Sequence, residues 1–528
     1  MKKGRFRYLK IFGGILFILL TVLIINHCTK ETTAPMDKAS LIPLPAKIAP
    51  SKGAFRLKRG TVIFVSNNSD EAFRVGDYLS DFLHTATGYK LPVKATNKTK
   101  GKKDIFLFLS KNQEELGKEG YVLRVTPEMI SITAYQPAGL FYGTQTLRQL
   151  LPYEIEKKSV QRVSWLVPAG TITDKPEYAY RGAMLDVARH FFPPEDVKAY
   201  IDMLAFFKIN MLHLHLSDDQ GWRIEIKSWP KLTEIGGSTE VGSGKGGFYT
   251  REEYKDLVNY AADRFITIIP EIDMPGHTNA ALASYGVLNC DNKPRKLYTG
   301  TDVGFSTLCT SKDTVYSFID DVMRELAAMT PGSWIHIGGD EAHATPMKEY
   351  IPFIERTQEM VWAHKKYVIG WDEIANATID KSTVIQFWDN NKNTLKGVRQ
   401  GAKVIMSPAS RTYLDMQYDS TCNLGLHWSG YVEVDKAYDW DPATLVPGVE
   451  KENILGIESP LWTETITNMK DLEYMAFPRL AGHAEIGWTP ASERKWDNYK
   501  IRLGNFASRF NAMGINFYHS PLIQWNDE

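Results

Sequence analysis

Eight apolar stretches between residues 180 and 462 constrain the fold more than any other feature of this chain. They lie at residues 180–187, 209–217, 265–273, 334–339, 367–373, 383–389, 403–408 and 454–462. Segments with helical spacing separate them, and one opens with the capping-box residues Thr250 and Glu253. Strands that are apolar almost throughout are typical of a parallel sheet covered on both faces. The pattern predicts an α/β fold, a (β/α)8 TIM barrel with long loops over residues 176–528.

A small α+β domain is predicted ahead of the barrel, over residues 46–175. Short strands are predicted at 61–65, 104–110, 121–126 and 129–135, and helices at 70–87 and 138–151. No titratable cluster or glycine-rich loop in this region indicates catalysis. The polar, proline-containing stretch before it, residues 29–45, predicts a linker.

Residues 1–28 predict an export segment. Basic residues precede the apolar run 11–25, which suits a signal peptide and is marginally short for a membrane span. Cys28 and the polar residues after it indicate a lipid-anchored signal, but Asn26 and His27 stand where small residues are expected. A cleaved signal and a retained membrane or lipid anchor both stay open. Either one predicts a periplasmic or cell-surface protein.

Charge and cysteine content limit the classes of partner and cofactor. Lys+Arg and Asp+Glu are 62 each, so no net field favours nucleic acid or an anionic membrane. We expect no nucleic-acid partner, and membrane contact only through the N-terminal segment. The spacing of Cys290, Cys309 and Cys422 fits no zinc site. In an oxidising compartment Cys290 and Cys309 could form a disulfide, and two free thiols are the open alternative.

Nearly every predicted barrel strand is followed by polar or aromatic residues. In chain order these are Asp186, Arg189 and His190; Asp218 and Asp219; Glu271, Asp273 and His277; Asp340 and Glu341; Trp371, Asp372 and Glu373; Trp388 and Asp389; Tyr413 and Asp415; Trp462 and Glu464. A single acid there could simply cap the next helix. Barrel active sites, however, lie at the C-terminal ends of the strands. The whole set therefore predicts a site at the barrel mouth.

Two adjacent acids, Asp340 and Glu341, end the fourth strand in the sequence WIHIGGDEAH. Neighbouring residues of a regular strand point to opposite faces, so both acids can serve one reacting centre only where the backbone turns. A metal site is one alternative, with His213, His215 and nearby acids as ligands. Because the two histidines lie within a strand and point into the barrel interior, that ligand set is incomplete. We expect no metal and no other cofactor.

Glycoside cleavage fits these residues better than metal chemistry. It needs a protonated carboxylic acid at the leaving oxygen and stabilisation of an oxocarbenium-like centre. An ordinary retaining enzyme takes its second carboxylate from another strand, whereas adjacent acids suggest that one protonates and the other orients a group of the sugar. Trp371, Trp388, Trp428 and Trp462 would supply walls for a sugar and an N-acetyl methyl group.

The motifs together resemble glycoside hydrolase family 20, the β-N-acetylhexosaminidases. The resemblance covers about residues 46–500 and rests on RGAMLDVARHFF, HLHLSDDQGWR, PEIDMPGH, HIGGDE, GWDE, YLD and LWTE, in this order. It implies an exo-acting enzyme that releases terminal non-reducing β-linked GlcNAc or GalNAc with retention. The 2-acetamido oxygen of the substrate attacks its own anomeric carbon and forms an oxazolinium intermediate.

The resemblance also implies a role for each site residue. Glu341 is the acid and later the base, Asp340 holds the acetamido N–H, and Tyr413 hydrogen-bonds the acetamido oxygen. The sugar hydroxyls are bound by Arg189, Asp415 and Glu464; the methyl group and sugar face are enclosed by Trp371, Trp388 and Trp462; Trp428 flanks the leaving-group subsite; the supporting polar network is Asp218, Asp273 and His277. His277 taken alone reads as a hydrogen-bonded structural histidine. Arg181 is expected to be an ion-pair partner at the base of the first barrel strand.

A non-catalytic surface glycan-binding protein on the same barrel is the competing interpretation. It predicts loss of the acid or of its neighbour. Asp340, Glu341 and Tyr413 are all present, which favours the enzyme.

Overall fold

The computed structural model describes residues 33–67, 69–96, 98 and 102–526, which form a small sheet domain and a closed barrel. The small domain contains β1 (Lys47–Arg56), β2 (Ile63–Ser66), β3 (Val93–Thr96), β4 (Asp104–Leu109), β5 (Tyr121–Val125), β6 (Met129–Ala134) and β7 (Leu166–Asp174). The barrel contains β8 (Tyr180–Asp186), β9 (Met211–His215), β10 (Thr267–Glu271), β11 (Trp334–His336), β12 (Tyr367–Trp371), β13 (Val384–Phe387), β14 (Lys403–Met406) and β15 (Ile454–Leu461).

The helices fall in both domains. They are α1 (Asp70–Thr87), α2 (Pro137–Leu150), α3 (Pro194–Phe206), α4 (Lys231–Glu234), α5 (Arg251–Ala262), α6 (Asn279–Ser284), α7 (Asp313–Met329), α8 (Met347–Ala363), α9 (Asn391–Arg399), α10 (Ala409–Thr412), α11 (Val434–Tyr438), α12 (Pro442–Leu445), α13 (Met469–Ala476), α14 (Arg479–Trp488), α15 (Trp496–Gly504) and α16 (Ala507–Met513). The predicted capping box is formed at the start of α5. Among the described residues, no helix combines the length and apolarity needed to cross a bilayer.

The barrel strands pair in the order β10-β11-β12-β13-β14-β15-β8-β9, and every pair is parallel. Each predicted apolar stretch contains one of these strands, so the predicted TIM barrel is confirmed. The parallel arrangement brings all eight C-terminal strand ends to one mouth. This geometry gathers side chains that are up to hundreds of residues apart in sequence.

The small domain is a seven-stranded mixed sheet in the order β1-β7-β5-β6-β4-β2-β3. Helix α1 coincides with the predicted 70–87 segment; Ser69 caps its first turn, and Gly88 ends it in the left-handed region at φ 67°. The sheet confirms the predicted α+β class, while β1, β3 and β7 escape the sequence prediction. The small domain packs against the barrel and leaves its mouth open.

The barrel interior is arranged in three layers. An apolar layer of Tyr180, Ile269, Ile369, Val384 and Ile405 fills the N-terminal end. A buried polar layer lies nearer the C-terminal end of the barrel, about two residues further along the strands. It is formed by His213, Glu271, His336, Gln386 and Glu458. Aromatic residues and methionines then pack beneath the mouth, among them Met184, Trp371, Tyr413 and Trp462. The middle layer is unusual because large branched apolar residues dominate most TIM-barrel interiors.

The linker prediction for residues 29–45 was wrong for the described part of that stretch. Met36, Leu41 and Ile42 are fully buried. The Gln149 amide exchanges hydrogen bonds with the Ile42 backbone, and the Leu44 N–H donates to Glu485 in the barrel. Apolar burial and these backbone hydrogen bonds hold residues 36–44, the N-terminal strap, against both domains. The export segment predicted for residues 1–28 lies outside the described residues.

Buried ion pairs join the two domains. Arg181 at the start of β8 forms a bidentate ion pair with Glu119, with N–O distances of 2.8 and 3.0 Å. This agrees with the predicted role of Arg181 as an ion-pair partner at the base of the first barrel strand. Lys208 lies 3.2 Å from Asp174 at the end of β7, and both side chains are almost fully buried. Cys290 and Cys309 form a disulfide, which settles the alternative left open by the sequence, and Cys422 is a buried free thiol.

Candidate active site

A cavity of about 470 Å³ opens at the C-terminal ends of the barrel strands. Most of the predicted site residues line it, namely Arg189, Asp340, Glu341, Trp388, Tyr413, Asp415, Trp428, Trp462 and Glu464. A larger groove of about 1060 Å³ lies at the opposite end, between the small domain and the barrel. None of the described side chains lining that groove carries a buried polar atom without a partner. The mouth cavity, which has several such atoms, is the candidate site.

The backbone turns sharply where β11 delivers the two adjacent acids. Gly338 and Gly339 have φ values of 66° and 101°, and Glu341 itself lies at φ 42°. A Cβ at position 338 would lie 1.7 Å from the Asp273 carboxylate, so only glycine fits there. A non-glycine residue in this region costs on the order of 1–3 kcal/mol, and such strain concentrates at functional sites. The turn lets both Asp340 and Glu341 line one cavity, as the sequence argument required.

The two acids differ in environment. Asp340 is 8% exposed, and its Oδ1 has no hydrogen-bond partner among the described residues. Burial, Asp273 and Glu341 hold the pKa of Asp340 well above its ordinary value, against the opposing charge of His277. The Glu341 side chain is 31% exposed. One acid is therefore enclosed, and the other is partly exposed to solvent.

His277 lies between the acid pair and Asp218. Its Nε2 is 3.8 Å from Asp340 Oδ2 and 3.7 Å from Glu341 Oε2, while its Nδ1 is 3.2 Å from Asp218 Oδ1. Burial opposes a charge on this ring, but Asp218 and Asp340 hold the pKa of His277 well above its ordinary value. Burial also raises the pKa of Asp273 to about 7. The surrounding acids therefore favour the protonated, cationic form of His277.

Arg189 also lines the cavity. Its Nη2 is 2.8 Å from Asp218, its Nη1 is 3.3 Å from Asp186, and its Nε has no partner among the described residues. Both carboxylate oxygens of Asp415 are also without a partner there, and burial followed by Glu464 holds the pKa of Asp415 well above its ordinary value. Burial likewise raises the pKa of Glu464. Unsatisfied buried donors and acceptors of this kind suit a ligand rich in hydroxyl groups.

Aromatic side chains form the remaining walls. The rings of Tyr413 and Trp462 lie 6.2 Å apart, and Trp428 packs edge-on against Tyr413 and Trp388 at 5.9 and 6.0 Å. Trp428 is 54% exposed and stands at the rim. Trp371 is 1% exposed and lies beneath the cavity, with its ring 5.8 Å from Trp462. Such flat apolar faces suit the faces of a pyranose ring.

Sequence reasoning missed some of the residues at the site. Thr301 and Val303 line the cavity from the loop that the Cys290–Cys309 disulfide closes. An available signal was the position of both residues between two cysteines that could pair with each other. The sequence identified Glu373 only as an acid at a strand end. In the structure its Oε2 accepts a hydrogen bond from the indole N–H of Trp388 at 3.1 Å, and this contact orients the Trp388 ring in the cavity wall.

The histidines considered as metal ligands are engaged with carboxylates. His213 contacts Glu458 through Nδ1 and Glu271 through Nε2, at 2.9 and 3.0 Å. His215 contacts Glu271 through Nδ1 and Asp218 through Nε2. Burial opposes protonation, but these carboxylates raise the pKa of His213 to about 9 and hold the pKa of His215 well above its ordinary value. Both nitrogens of each ring are therefore engaged in contacts with carboxylates.

Comparisons with known proteins place these features in a family context. Residues 178–350 and 343–491 match the family model described as glycosyl hydrolase family 20, catalytic domain, and residues 38–175 match that of glycosyl hydrolase family 20, domain 2. A β-N-acetylhexosaminidase of Cellulomonas fimi is 39% identical over 493 residues, covering 93% of this chain and 98% of that protein. A β-hexosaminidase of Porphyromonas gingivalis is 36% identical over 539 residues, covering 97% and 68%.

Solved structures agree in fold over nearly the whole chain. The GH20 β-N-acetylhexosaminidase from Streptomyces coelicolor A3(2) has a TM-score of 0.90 at 51% identity, covering 94% of this chain and 100% of that one. A mutant Streptomyces plicatus β-hexosaminidase in complex with the product GlcNAc also has a TM-score of 0.90, at 52% identity and with coverage of 94% and 100%.

Proposed function

The chain belongs to glycosyl hydrolase family 20, and on that premise we infer that it is an exo-acting β-N-acetylhexosaminidase, which releases terminal N-acetylhexosamine from the non-reducing ends of glycans. The observation that carries this conclusion is the pair Asp340 and Glu341, turned together into one cavity at the barrel mouth. The volume of that cavity, about 470 Å³, fits the end of a glycan chain rather than the middle of a polymer.

The proposed reaction is substrate-assisted. Glu341 donates its proton to the glycosidic oxygen as the bond to the anomeric carbon breaks, and the 2-acetamido oxygen of the same sugar forms a new bond to that carbon. The resulting oxazolinium ion is opened by water, whose proton returns to Glu341. Two inversions at one carbon give net retention. The partial exposure of Glu341 supports this role, since the leaving group and the water must both reach it.

Asp340 is proposed to orient the acetamido group and to balance its charge. Its partnerless Oδ1 is a ready acceptor for the amide N–H, and a carboxylate there would stabilise the positive charge that develops on the oxazolinium. Burial, Asp273 and Glu341 raise the pKa of Asp340, and the charge of His277 is the contribution that favours its ionised form. The Tyr413 hydroxyl is proposed to donate to the acetamido oxygen and to hold it for attack.

The other cavity residues are proposed to bind the sugar. The Arg189 guanidinium, held between Asp218 and Asp186, would grip O3 and O4, while Asp415 and Glu464 would accept from O4 and O6. Trp388 and Trp462 would cover the sugar face, with Trp371 below them at the acetamido methyl. Trp428 at the rim would contact the leaving group. Asp218, Asp273 and His277 would support the acid pair.

An extracytoplasmic location is proposed for the enzyme, in the periplasm or at the cell surface. The basic and apolar sequence at residues 2–25 supports export, through either a cleaved signal or a retained membrane or lipid anchor. The Cys290–Cys309 disulfide supports an oxidising compartment. N-acetylhexosamine-terminated glycans are the natural partners expected there.

The first test asks whether the enzyme depends on the 2-acetamido group. Nitrophenyl β-N-acetylglucosaminide, and the galacto analogue, should be hydrolysed, while plain nitrophenyl β-glucoside should not be. A thiazoline mimic of the oxazolinium should bind far more tightly than the free sugar. Absence of all hydrolysis would instead favour a glycan-binding protein.

The second test separates Asp340 as an orienting group from Asp340 as a nucleophile. Asp340→Asn should damage catalysis severely, whereas Asp302→Asn, an exposed acid on the same rim, should not. Mass spectrometry of enzyme incubated with a 2-fluoro glucoside should show no adduct. A stable sugar adduct on Asp340, with ready cleavage of β-glucosides, would overturn substrate assistance.

A further inference from the structure

Glu271 is a fully buried carboxylate at the centre of the polar layer of the barrel. It accepts hydrogen bonds from His213 Nε2 and Trp371 Nε1, both at 3.0 Å, and from His215 Nδ1. A buried charge carries a large desolvation penalty unless well-placed partners offset it. Apolar side chains would fill this space without that penalty, so the retention of a carboxylate needs a reason other than packing.

Two paths lead from Glu271 to the substrate cavity. Along the first, His215 Nε2 lies 3.0 Å from Asp218 Oδ2, and Asp218 in turn holds Arg189 at 2.8 Å and His277 at 3.2 Å. Along the second, the indole N–H of Trp371 fixes the ring that packs beneath Trp462. Through His215 and Trp371, Glu271 is thereby connected to residues that hold Arg189 and to residues beside the acid pair.

We propose that Glu271 is a positioning residue of the hydrolytic reaction, which, by orienting His215 and Trp371, fixes Asp218 and the cavity floor and so sets the spacing between Arg189 and His277. The proposal rests on the proposed function, because that function assigns the grip on the sugar to Arg189 and the acid chemistry to Glu341 beside His277. It gives a catalytic reason for a charge inside the barrel.

The donor geometry explains why a carboxylate is required at this position. His213, His215 and Trp371 direct N–H groups at its two oxygens, and His336 Nδ1 lies 2.9 Å from Oε1. A carboxylate offers acceptors only, so it can accept from all of these neighbours. An amide of the same shape has one acceptor oxygen and an NH2 group that would face a donor. The charge also matters at His215, where burial opposes protonation and Glu271 holds the pKa well above its ordinary value. A neutral His215 would have only one N–H to share between Glu271 and Asp218.

Glu458 offers a matched control within the same layer. It is also fully buried, and it accepts from His213 Nδ1, Gln386 Nε2 and the Tyr180 hydroxyl. Its hydrogen bonds include none to Asp218, Trp371 or a described residue that lines the cavity, and it reaches Glu271 only through the shared His213 ring. Glu458→Gln therefore perturbs the same buried layer without removing a direct partner of His215, Asp218 or Trp371.

The experiment compares Glu271→Gln with Glu458→Gln at a temperature where near-ultraviolet circular dichroism shows both to be folded. With nitrophenyl β-N-acetylglucosaminide, Glu271→Gln should lower kcat/KM by about 10²-fold, because a small misplacement of catalytic groups has this effect. The loss should appear in both kcat and KM, since both sides of the cavity shift. Glu458→Gln should keep kcat and KM near their wild-type values and lose only thermal stability.

Binding of free N-acetylglucosamine, followed by tryptophan fluorescence, supplies a readout independent of turnover. Weakened binding by Glu271→Gln alone supports the proposal even if the wild-type enzyme fails to hydrolyse the test substrate, an outcome that would count against the proposed function instead. Should Glu271→Gln fail to fold, His215→Gln breaks the same link and should show the same loss. Wild-type kinetics and binding in folded Glu271→Gln, or equal losses in Glu458→Gln, would overturn the proposal.

Discussion

Replacing His277 by asparagine should move the acid limb of the pH–rate profile to higher pH. His277 is the cation beside Asp340, and the substrate-assisted mechanism needs Asp340 ionised. Asparagine tolerates the positive φ of 54° at this position and can still donate to Asp218. The substitution therefore removes a charge with little change to the backbone.

The size of the shift follows from the distance between the two groups. His277 Nε2 lies 3.8 Å from Asp340 Oδ2. At an effective dielectric constant of about 20, two unit charges at that distance attract by about 4 kcal/mol, which corresponds to about 3 pH units. The sign is fixed because the cation lowers the pKa of Asp340 against burial, Asp273 and Glu341, which raise it. Without the cation, Asp340 stays protonated to a higher pH, and the pH range of activity narrows from its acid side.

The assay is the pH dependence of kcat/KM with an aryl β-N-acetylglucosaminide whose good leaving group reduces the need for protonation by Glu341. His483→Asn is the control. His483 is also buried, but burial and Arg479 lower its pKa to about 3, so its replacement removes no charge at the assay pH. If His277→Asn lowers the rate without moving the acid limb, the electrostatic role of His277 is refuted.

Three further substitutions test other parts of the site. Glu341→Gln should reduce turnover of an unactivated disaccharide about 10²–10⁴-fold and leave sugar binding largely intact; wild-type-like turnover would contradict its role as the acid. Arg189→Ala should weaken sugar binding, measured by calorimetry, and Lys should not restore it because a point charge cannot reproduce the guanidinium fork; a normal kcat/KM would place the grip elsewhere. Replacing both Cys290 and Cys309 by serine should lower the unfolding free energy by about 3 kcal/mol in denaturant titrations, with Cys422→Ser as the control; unchanged stability would show that the loop needs no covalent closure.

The barrel could be predicted because its strands carry a signal that is local. Long apolar runs are read directly from the sequence, and their number and alternation with helices leave few architectures. Strand β1 shows the opposite case. Its sequence, KIAPSKGAFR, contains Pro, Gly and Lys, and most of its side chains are exposed because it lies at the edge of its sheet. An edge strand of this kind has no apolar alternation to detect.

The strap before β1 was misread for a related reason. Its buried residues Met36, Leu41 and Ile42 are irregularly spaced among polar ones, and their partners lie more than a hundred residues away.

At the site, the residue types at the strand ends indicated the chemistry. The sequence did not indicate that His215 continues through Asp218 into the cavity, because that connection depends on side-chain geometry in the closed barrel.

The buried ion pairs between the domains restrict how this enzyme could be recombined with its relatives. Arg181 is paired with Glu119 and Lys208 with Asp174, so each cation of the barrel depends on an anion of the small domain. Removing one partner of such a pair typically destabilises a protein by about 3–5 kcal/mol. A chimera that joins the small domain of one enzyme to the barrel of another keeps both ion pairs only when both source enzymes carry them. Otherwise each cation and its anion must come from the same source enzyme.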